Sequence, residues 1–175
     1  LTFARADNSG VDENFVCMRN NALRDIEGSP HWAMARTIDI FNKIPTGFAV
    51  QGEFCGPGIQ ANRIGLKERQ FFAFQVWDIT NQKFLDFLAF KNFCAGYGIP
   101  TVPILNESMI LNHSQDDLLF MAEGSYESGH PREGIVIRPV KEMPSKTLAT
   151  YEGTSGTVRA SFKVISNTFL LKVKE

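Results

Sequence analysis

Residues 71–79 read Phe-Phe-Ala-Phe-Gln-Val-Trp-Asp-Ile, a run dominated by aromatic and branched apolar side chains. A run of this composition and length predicts a buried β-strand. Four other segments have a similar composition and are bounded by Gly, Pro or Asn; they are residues 48–54, 134–138, 158–165 and 168–173. Ser166-Asn167 separates the last two and reads as a tight connection between antiparallel neighbours.

Three helices are predicted between these strands, at residues 29–41, about 82–94 and 114–122. The first begins with a Ser-Pro pair, in which Ser29 is the N-cap and the proline takes the first helical position. The third opens with a capping box and is followed by Gly124. Strands at both ends of the chain with helices inserted between them predict an α+β domain built on antiparallel sheets.

The composition of the chain fits one folded domain over residues 1–175. Of the 175 residues, 43% are hydrophobic and 21% are charged, which excludes a disordered chain. The net charge is −1, which excludes a protein that coats nucleic acid through bulk positive charge but allows a local basic groove. No apolar run approaches the roughly 20 residues that span a bilayer, so we expect no membrane role.

The spacing of the cysteines and the absence of two glycine-rich patterns exclude several kinds of site. Cys17, Cys55 and Cys94 are an odd number at wide spacing without CxxC, so neither a disulfide framework nor a zinc site is predicted. Reduced thiols in a cytoplasmic protein are expected. The patterns GxGxxG and GxxxxGK[ST] are absent, so a nucleotide would have to be bound by another device.

Four short segments place charged groups within or at the ends of apolar strands, where an unpaired charge is costly. They are Gly52-Glu53, Trp77-Asp78-Ile79, residues 133–138 (Glu-Gly-Ile-Val-Ile-Arg) and residues 161–164 (Ser-Phe-Lys-Val). Structural explanations remain open for each. Glu53 could cap a turn, Asp78 could be the N-cap of the following helix, and Lys163 could protect a strand edge against aggregation.

Together and in this order, the four segments resemble the motifs of the nucleotidyltransferase domain of covalent polynucleotide ligases and messenger RNA capping enzymes. Two further segments extend the resemblance: residues 16–20 (Val-Cys-Met-Arg-Asn) and residues 52–60 (Gly-Glu-Phe-Cys-Gly-Pro-Gly-Ile-Gln). Both are similar to segments of the ATP-dependent RNA ligases of the Deinococcus type, which seal RNA nicks that carry 3′-OH and 5′-phosphate ends. The resemblance covers about residues 10–172 and implies an antiparallel-sheet ligase adenylation domain.

The resemblance implies a site for ATP or AMP. Adenine has two apolar faces, and Trp77 and Val136 are the expected pair around it. Phe74 is the competing aromatic, although strict alternation along a strand puts Phe74 and Trp77 on opposite faces. Glu53 is the expected acceptor for the ribose hydroxyls.

The resemblance also implies phosphate and metal ligands with a catalytic role. Lys163 and Arg19 are the expected phosphate-binding cations. Glu133 is the expected ligand, through water, for Mg²⁺ or Mn²⁺. The implied partners are ATP and RNA with 3′-OH and 5′-phosphate ends, presented as a nicked duplex.

One motif of these ligases is missing. Their chemistry begins with a nucleophilic lysine in Lys-x-Asp-Gly, and no lysine of this sequence lies in that context. We therefore expect the given sequence to begin just after its nucleophile, with a further domain upstream, and to be unable by itself to form the covalent intermediate. The final Lys-x-Lys of the family is also altered, since Ser161 replaces its first lysine.

Alternatives to an RNA ligase remain open. A DNA ligase or a capping guanylyltransferase shares most of these motifs but differs in substrate. A noncatalytic nucleotide-binding or RNA-binding module of the same fold would keep the pocket without the chemistry. A domain in which the charged strand residues are purely structural is the simplest alternative.

Overall fold

A β-hairpin that the strand patterns of the sequence did not predict opens the chain. In the computed structural model, Thr2–Asn8 (β1) pairs antiparallel with Val11–Cys17 (β2). The two residues between them, Ser9 and Gly10, have φ of 57° and 85°. Positive φ at both central positions suits the tight type I′ hairpin turn. The Asn-Ser-Gly run at residues 8–10 is the signal that could have predicted this hairpin.

The structure describes residues 1–146 and 158–172, and the chain divides into two compact units. Unit 1 comprises Leu1–Cys55 and Glu68–Pro103, and unit 2 comprises Gly56–Lys67 and Ile104–Glu175. The paired strands of both units are antiparallel, which confirms the predicted α+β class. Within the described residues, no helix has the length and apolar character needed to cross a bilayer.

Unit 1 is built on a five-stranded sheet, whose remaining strands are Phe48–Cys55 (β3), Gln70–Asp78 (β4) and Lys83–Phe84 (β5). The strand order in this sheet is β2-β1-β3-β4-β5. The bounds of β3 and β4 agree with the predicted strands to within one residue at each end. Val50 lies opposite both Phe3 and Val76 in the register, and all three are fully buried. Burial of side chains of this size contributes roughly 1.5–3 kcal/mol each, so this face of the sheet is a main source of stability.

Two helices of unit 1 replace the single helix predicted for residues 29–41. They are Pro30–Thr37 (α1), whose N-cap is Ser29 as predicted, and Ile40–Lys43 (α2). The prediction of one continuous helix is wrong because Asp39 has a left-handed backbone with φ of 52°. Aspartate is one of the few residues other than glycine that tolerates this conformation, and it ends one helix before the next begins.

The helix predicted for residues 82–94 begins later than expected. Helix α3 covers Phe87–Gly96, since Lys83 and Phe84 instead pair with the end of β4 as β5. The two residues therefore extend the sheet before the chain turns into the helix. Gly98, with φ of 60°, follows the helix, where glycine is favoured because it adopts the left-handed backbone readily.

Within the described residues, unit 2 contains two short antiparallel strand pairs, a 3-10 turn at Gln60–Asn62 and α-helices. Gly134–Ile137 (β6) pairs with Phe162–Ile165 (β9), and Pro144–Ser145 (β7) pairs with Val158–Arg159 (β8). The strand predicted for residues 158–165 is thus divided between two pairs. Helix α4 covers Gln115–Ala122 and begins with the predicted capping box, in which the side chains of Ser114 and Asp117 each bind the backbone of the other.

The strand predicted for residues 168–173 is wrong. Asn167–Lys172 forms a helix (α5), and the Ser166 hydroxyl accepts a hydrogen bond from the Phe169 amide at 3.1 Å. The carboxylate of Glu123, at the end of α4, accepts hydrogen bonds from the Ser166 hydroxyl (2.9 Å) and the Asn167 amide (2.7 Å). This capping of the first helical turn comes from a residue more than forty positions upstream, so it is invisible to a local pattern.

Removal of the Glu123 carboxylate is expected to make the free energy of unfolding less dependent on pH in the acidic range. Its hydrogen bonds to Thr168, Ser166 and Asn167 lower the pKa of this carboxyl below 4.5. A lowered pKa in the folded state means that the stabilisation is present above about pH 4.5 and is lost as the pH falls through the lowered value. Glu123→Gln should therefore be less stable than the parent at pH 7, and the difference should shrink as the solution is acidified. Urea unfolding at several pH values measures this, with exposed Glu127→Gln as the matched control; an equal deficit at every pH contradicts it.

Candidate functional site

Glu53 follows a glycine that close packing of two strands requires. A Cβ at Gly52 would lie 2.4 Å from the backbone oxygen of Phe72 and 2.5 Å from the ring of Phe71. Any side chain at position 52 would force β3 away from β4. Glu53 itself pairs with Phe72 in the register, and its side chain is exposed. In the Gly-Glu motif, Gly52 is therefore needed for strand packing, and Glu53 is accessible to a ligand.

A bulge in β4 changes which face Phe74 occupies. Gln51 pairs with Gln75 and Gly52 pairs with Ala73, so the register passes over Phe74. The buried positions of β4 are accordingly 71 and 73 before the bulge and 76 and 78 after it. Phe74 and Trp77 both lie on the less buried side. The expectation of opposite faces is wrong, because one extra residue shifts the alternation of side chains.

Trp77 and Glu53 share one face of the unit 1 sheet. Trp77 lies directly opposite Ala49, and Ala49, Gln51 and Glu53 follow one another at every second position of β3. The spacing between Ala49 and Glu53 corresponds to roughly 13 Å along the strand. The Trp77 ring is half-buried and packs edge-on against Phe84, with 4.8 Å between ring centroids. This face therefore presents an exposed carboxylate and an anchored aromatic ring.

Asp78 has a structural task. Its side chain is buried, with 7% exposure, and accepts hydrogen bonds from the Asn81 amide (2.9 Å) and the Asn81 side chain (2.7 Å). These bonds lower the pKa of the Asp78 carboxyl and hold the turn that leads from β4 to β5. The interpretation of Asp78 as a helix N-cap is wrong, because a turn and β5 precede the helix.

Arg19 lies in the loop that follows β2 and is exposed. An isolated bridge between Cys17 and Ala22 closes this loop. Cys17 pairs with Thr2, and Thr2 pairs with Gln51, so the loop starts two strands away from β3. Two strand spacings amount to roughly 10 Å. An extended arginine side chain and a phosphate bound to it can together span that distance.

Unit 2 brings two of the predicted site residues together. Lys163 of β9 forms an ion pair with Glu133, which immediately precedes β6. The two residues are 30 positions apart in sequence, and their side chains remain 54% and 47% exposed. Val136 lies opposite Lys163 in the register and is 54% exposed. A cation, a carboxylate and an accessible aliphatic side chain thus share one strand pair.

Gly134 is required where β6 meets β9. Its φ is 149°, and a Cβ at this position would lie 1.9 Å from the carbonyl oxygen of Val164. No side chain fits there, so the glycine lets the two strands approach and brings Glu133 beside Lys163. The Glu-Gly motif resembles the Gly-Glu motif in this respect, since each joins an accessible carboxylate to a close strand contact.

An ion pair that sequence reasoning did not predict lies near the end of β6. Arg159 of β8 makes two hydrogen bonds to the Glu142 carboxylate, one of 2.6 Å, and both side chains are mostly buried. Burial, followed by repulsion from Arg159, lowers the pKa of Arg138 to about 10. Arg138 also donates a hydrogen bond to the Ser161 hydroxyl at 3.4 Å. In the sequence, the presence of both acidic and basic residues in these segments was the one sign of the pair between Arg159 and Glu142.

Cys55 has the wrong chemistry for a nucleophile. Burial, followed by the nearby Glu53 carboxylate, raises the pKa of its thiol from 9.0 to about 11. The thiolate is the reactive form, so this cysteine is a packing residue at neutral pH.

Metal binding by protein side chains alone is not supported in the part of the chain that the structure describes. No three His, Cys, Asp or Glu side chains cluster there closely enough to hold an ion. An exposed carboxylate such as Glu133 suits Mg²⁺ or Mn²⁺, since hard divalent cations prefer oxygen and retain several waters. Such an ion would take most of its ligands from water and phosphate.

Solved structures of one RNA ligase resemble the chain closely. A Naegleria gruberi RNA ligase variant with ATP and Mn is 27% identical with a TM-score of 0.80, covering 99% of this chain and 48% of that one. The same ligase with PPi is 28% identical with a TM-score of 0.76, at coverages of 99% and 48%. A variant with AMP and Mn is 27% identical with a TM-score of 0.79, at the same coverages of 99% and 48%. The chain thus spans about half the length of these relatives.

The family comparison covers nearly the whole chain. No protein of curated function matches it in sequence. The model of the RNA ligase family matches residues 2–165, a range that contains both units' motif residues. The chain therefore belongs to the RNA ligase family.

Proposed function

We propose that this chain is the adenylation domain of an ATP-dependent RNA ligase of the Deinococcus type, which seals nicks between 3′-OH and 5′-phosphate ends. The observation that carries the proposal is the meeting of Glu133 and Lys163 on the β6-β9 pair, next to accessible Val136. A lysine and a carboxylate at this spacing suit a phosphate group with its metal ion. Family membership supports RNA as the strand that is joined.

The nucleotide contacts in this proposal are those that the resemblance implies, taken residue by residue. Unit 1 supplies Glu53 for the ribose hydroxyls and Trp77 for one face of adenine, and their common sheet face supports the pairing. Unit 2 supplies Val136 for the other face of adenine, in keeping with its exposure. Phe74 is the alternative aromatic, since the bulge brings it to the same side of the sheet as Trp77.

Phosphate and metal binding fall to three charged residues. Lys163 and Arg19 bind the phosphates, and Glu133 holds Mg²⁺ or Mn²⁺ through water. The relatives with ATP and Mn support a nucleotide and a divalent ion together. When bound, the ion supplies positive charge to the phosphate oxygens.

The proposed reaction needs a nucleophilic lysine within Lys-x-Asp-Gly, a motif that residues 1–175 do not contain. Its amine attacks the α-phosphorus of ATP, so that a P–N bond forms and pyrophosphate leaves. An oxygen of the RNA 5′-phosphate then takes the AMP and frees the lysine, and attack by the 3′-OH on that phosphate releases AMP. Lys163 and Arg19 counter the charge that develops on the phosphoryl oxygens at each transfer.

The full-length protein is expected to form a covalent adduct with α-labelled ATP. Denaturing gel electrophoresis shows the adduct as label that stays with the protein, and pyrophosphate should remove it by reversing the step. A full-length protein that binds ATP without an adduct contradicts the proposal and indicates a noncatalytic module. An upstream gene sequence without Lys-x-Asp-Gly or a close variant contradicts it as well.

Substrate comparisons separate the proposal from its nearest relatives. A capping guanylyltransferase forms its adduct with GTP in place of ATP. A DNA ligase seals a nick whose 3′-OH strand is DNA as readily as one whose strand is RNA. The proposed enzyme should require ATP and seal the RNA nick faster.

The three cysteines support a reducing, cytoplasmic location for this enzyme. Cys17, Cys55 and Cys94 are free thiols in the structure. Free thiols are typical of proteins that work under reducing conditions. Fractionation of cells with an antibody to the protein tests the location.

A further inference from the structure

Unit 2 contains a basic groove that none of the proposed nucleotide-binding residues lines. The groove is a cavity of about 370 Å³ whose lining includes Arg63, His130, Lys172 and Phe169. This volume lies within the range of ligand sites in proteins. Arginine, lysine and imidazole side chains line it, and among the described residues no carboxylate does, so the groove suits an anion.

Arg63 is held by an unusual backbone. The three preceding residues, Gln60, Ala61 and Asn62, have positive φ of 44°, 56° and 49°. The Asn62 side chain binds both backbone groups of Leu66, at 2.8 Å and 3.0 Å, and closes the segment that follows. Non-glycine residues in this conformation persist only when their surroundings fix them, so Arg63 projects from a determined loop.

The other walls of the groove are also fixed by named contacts. The Nδ1 atom of His130 lies 3.2 Å from the Ser128 hydroxyl, and Ser128 in turn binds the Ile64 carbonyl. Phe169 and Lys172 are three positions apart on α5 and therefore lie on one side of that helix.

The arginine, lysine and imidazole groups of the groove are available to a ligand. The Arg63 guanidinium lies over the Phe169 ring, 5.7 Å from its centroid, which orients the planar group without neutralising it. Arg63, His130 and Lys172 are all exposed. Within residues 1–146 and 158–172, none of the three forms an ion pair with a carboxylate.

We propose that the basic groove binds the phosphodiester backbone of the RNA that the ligase joins, so this inference rests on the proposed function. A guanidinium fork matches the geometry of a phosphate, and a lysine adds a mobile point charge. Because the net charge of residues 1–175 is only −1, the contribution of this chain to RNA affinity must come from local clusters such as this one. The groove also lies near Lys163 along the chain. Phe169, which lines the groove, is six residues after Lys163, or roughly 15 Å along β9 and α5. A short stretch of the same RNA strand can therefore occupy both places.

The test compares RNA binding by the full-length protein and its Arg63→Ala/Lys172→Ala double variant over a range of salt concentrations. The probe is a labelled nicked RNA duplex. We expect about a tenfold weaker affinity at low salt, and a slope of log affinity against log salt that is shallower by about 1–2. Lys141→Ala, which removes an exposed lysine outside the groove, is the control and should bind RNA like the parent.

Each outcome of this experiment decides the matter. An unchanged affinity and slope, or an equal loss in Lys141→Ala, overturns the assignment of the groove to RNA. If inorganic phosphate binds the parent and not the double variant while RNA binding is unaffected, the groove takes a free anion only and the inference is also wrong. Adduct formation with ATP should be the same in parent and double variant, so failure of the ligase proposal shows separately, as a parent without an adduct.

Discussion

Lys163→Ala is expected to slow adduct formation with ATP by about 100-fold or more in the full-length protein, with little change in folding. Fixed charges aimed at a reacting group typically contribute 100-fold to 1,000-fold in rate, because they need no rearrangement as charge develops. The ion pair between Lys163 and Glu133 is about half exposed, and exposed pairs contribute only about 0–1 kcal/mol to stability. Single-turnover labelling with α-labelled ATP measures the rate, and thermal unfolding measures the stability.

Two further variants make this result specific. Lys141→Ala removes a lysine of the same unit that is also exposed, and it should form the adduct at the parental rate. Lys163→Arg keeps a cation and should recover part of the rate, since the charge remains but its position changes. A Lys163→Ala variant that labels as fast as the parent would assign Lys163 a structural or edge-protecting role.

Gly134→Ala is expected to lower the free energy of unfolding by about 3–5 kcal/mol, among the largest effects of a single substitution. The added Cβ would lie 1.9 Å from the Val164 carbonyl oxygen, and φ of 149° is unfavourable for any residue with a side chain. The β6-β9 pair would have to separate, which would also move Glu133 away from Lys163. Urea unfolding measures the loss.

Gly129→Ala is the matched control for this prediction. Gly129 also has positive φ, at 80°, but a Cβ there would meet nothing within 4 Å. In the control, only the strain of the left-handed backbone lowers the free energy of unfolding, by roughly 1–2 kcal/mol. Equal losses in the two variants would show that the contact with Val164 is relieved at little energetic cost. A clearly larger loss for Gly134→Ala would show that the motif glycine maintains the strand pair.

Local patterns in the sequence were sufficient for much of the fold. The dense apolar runs predicted β3 and β4, because strands with a buried face must repeat such residues. The capping box at Ser114 predicted the start of α4, since both of its partners lie within one helical turn. The order of the charged segments predicted the family, because each carries a short motif whose meaning does not depend on distant residues.

Several features depended on the tertiary structure. Residues 167–172 have an apolar composition that fits either a strand or a helix, and Glu123, distant in sequence, caps them as a helix. The bulge at Phe74 exists only as a relation between β3 and β4, and it decides which aromatic residues share a face with Trp77.

The same distinction between local sequence and tertiary structure applies to the candidate sites. The sequence by itself determined which residue types are present for phosphate chemistry and the order in which they occur. Only the tertiary structure decided that Lys163 meets Glu133 and that Arg63 and Lys172 line one groove. The physical reason is that strand register and cross-chain packing join residues 30 to more than 100 positions apart, and these contacts leave no local periodicity for a sequence pattern to report.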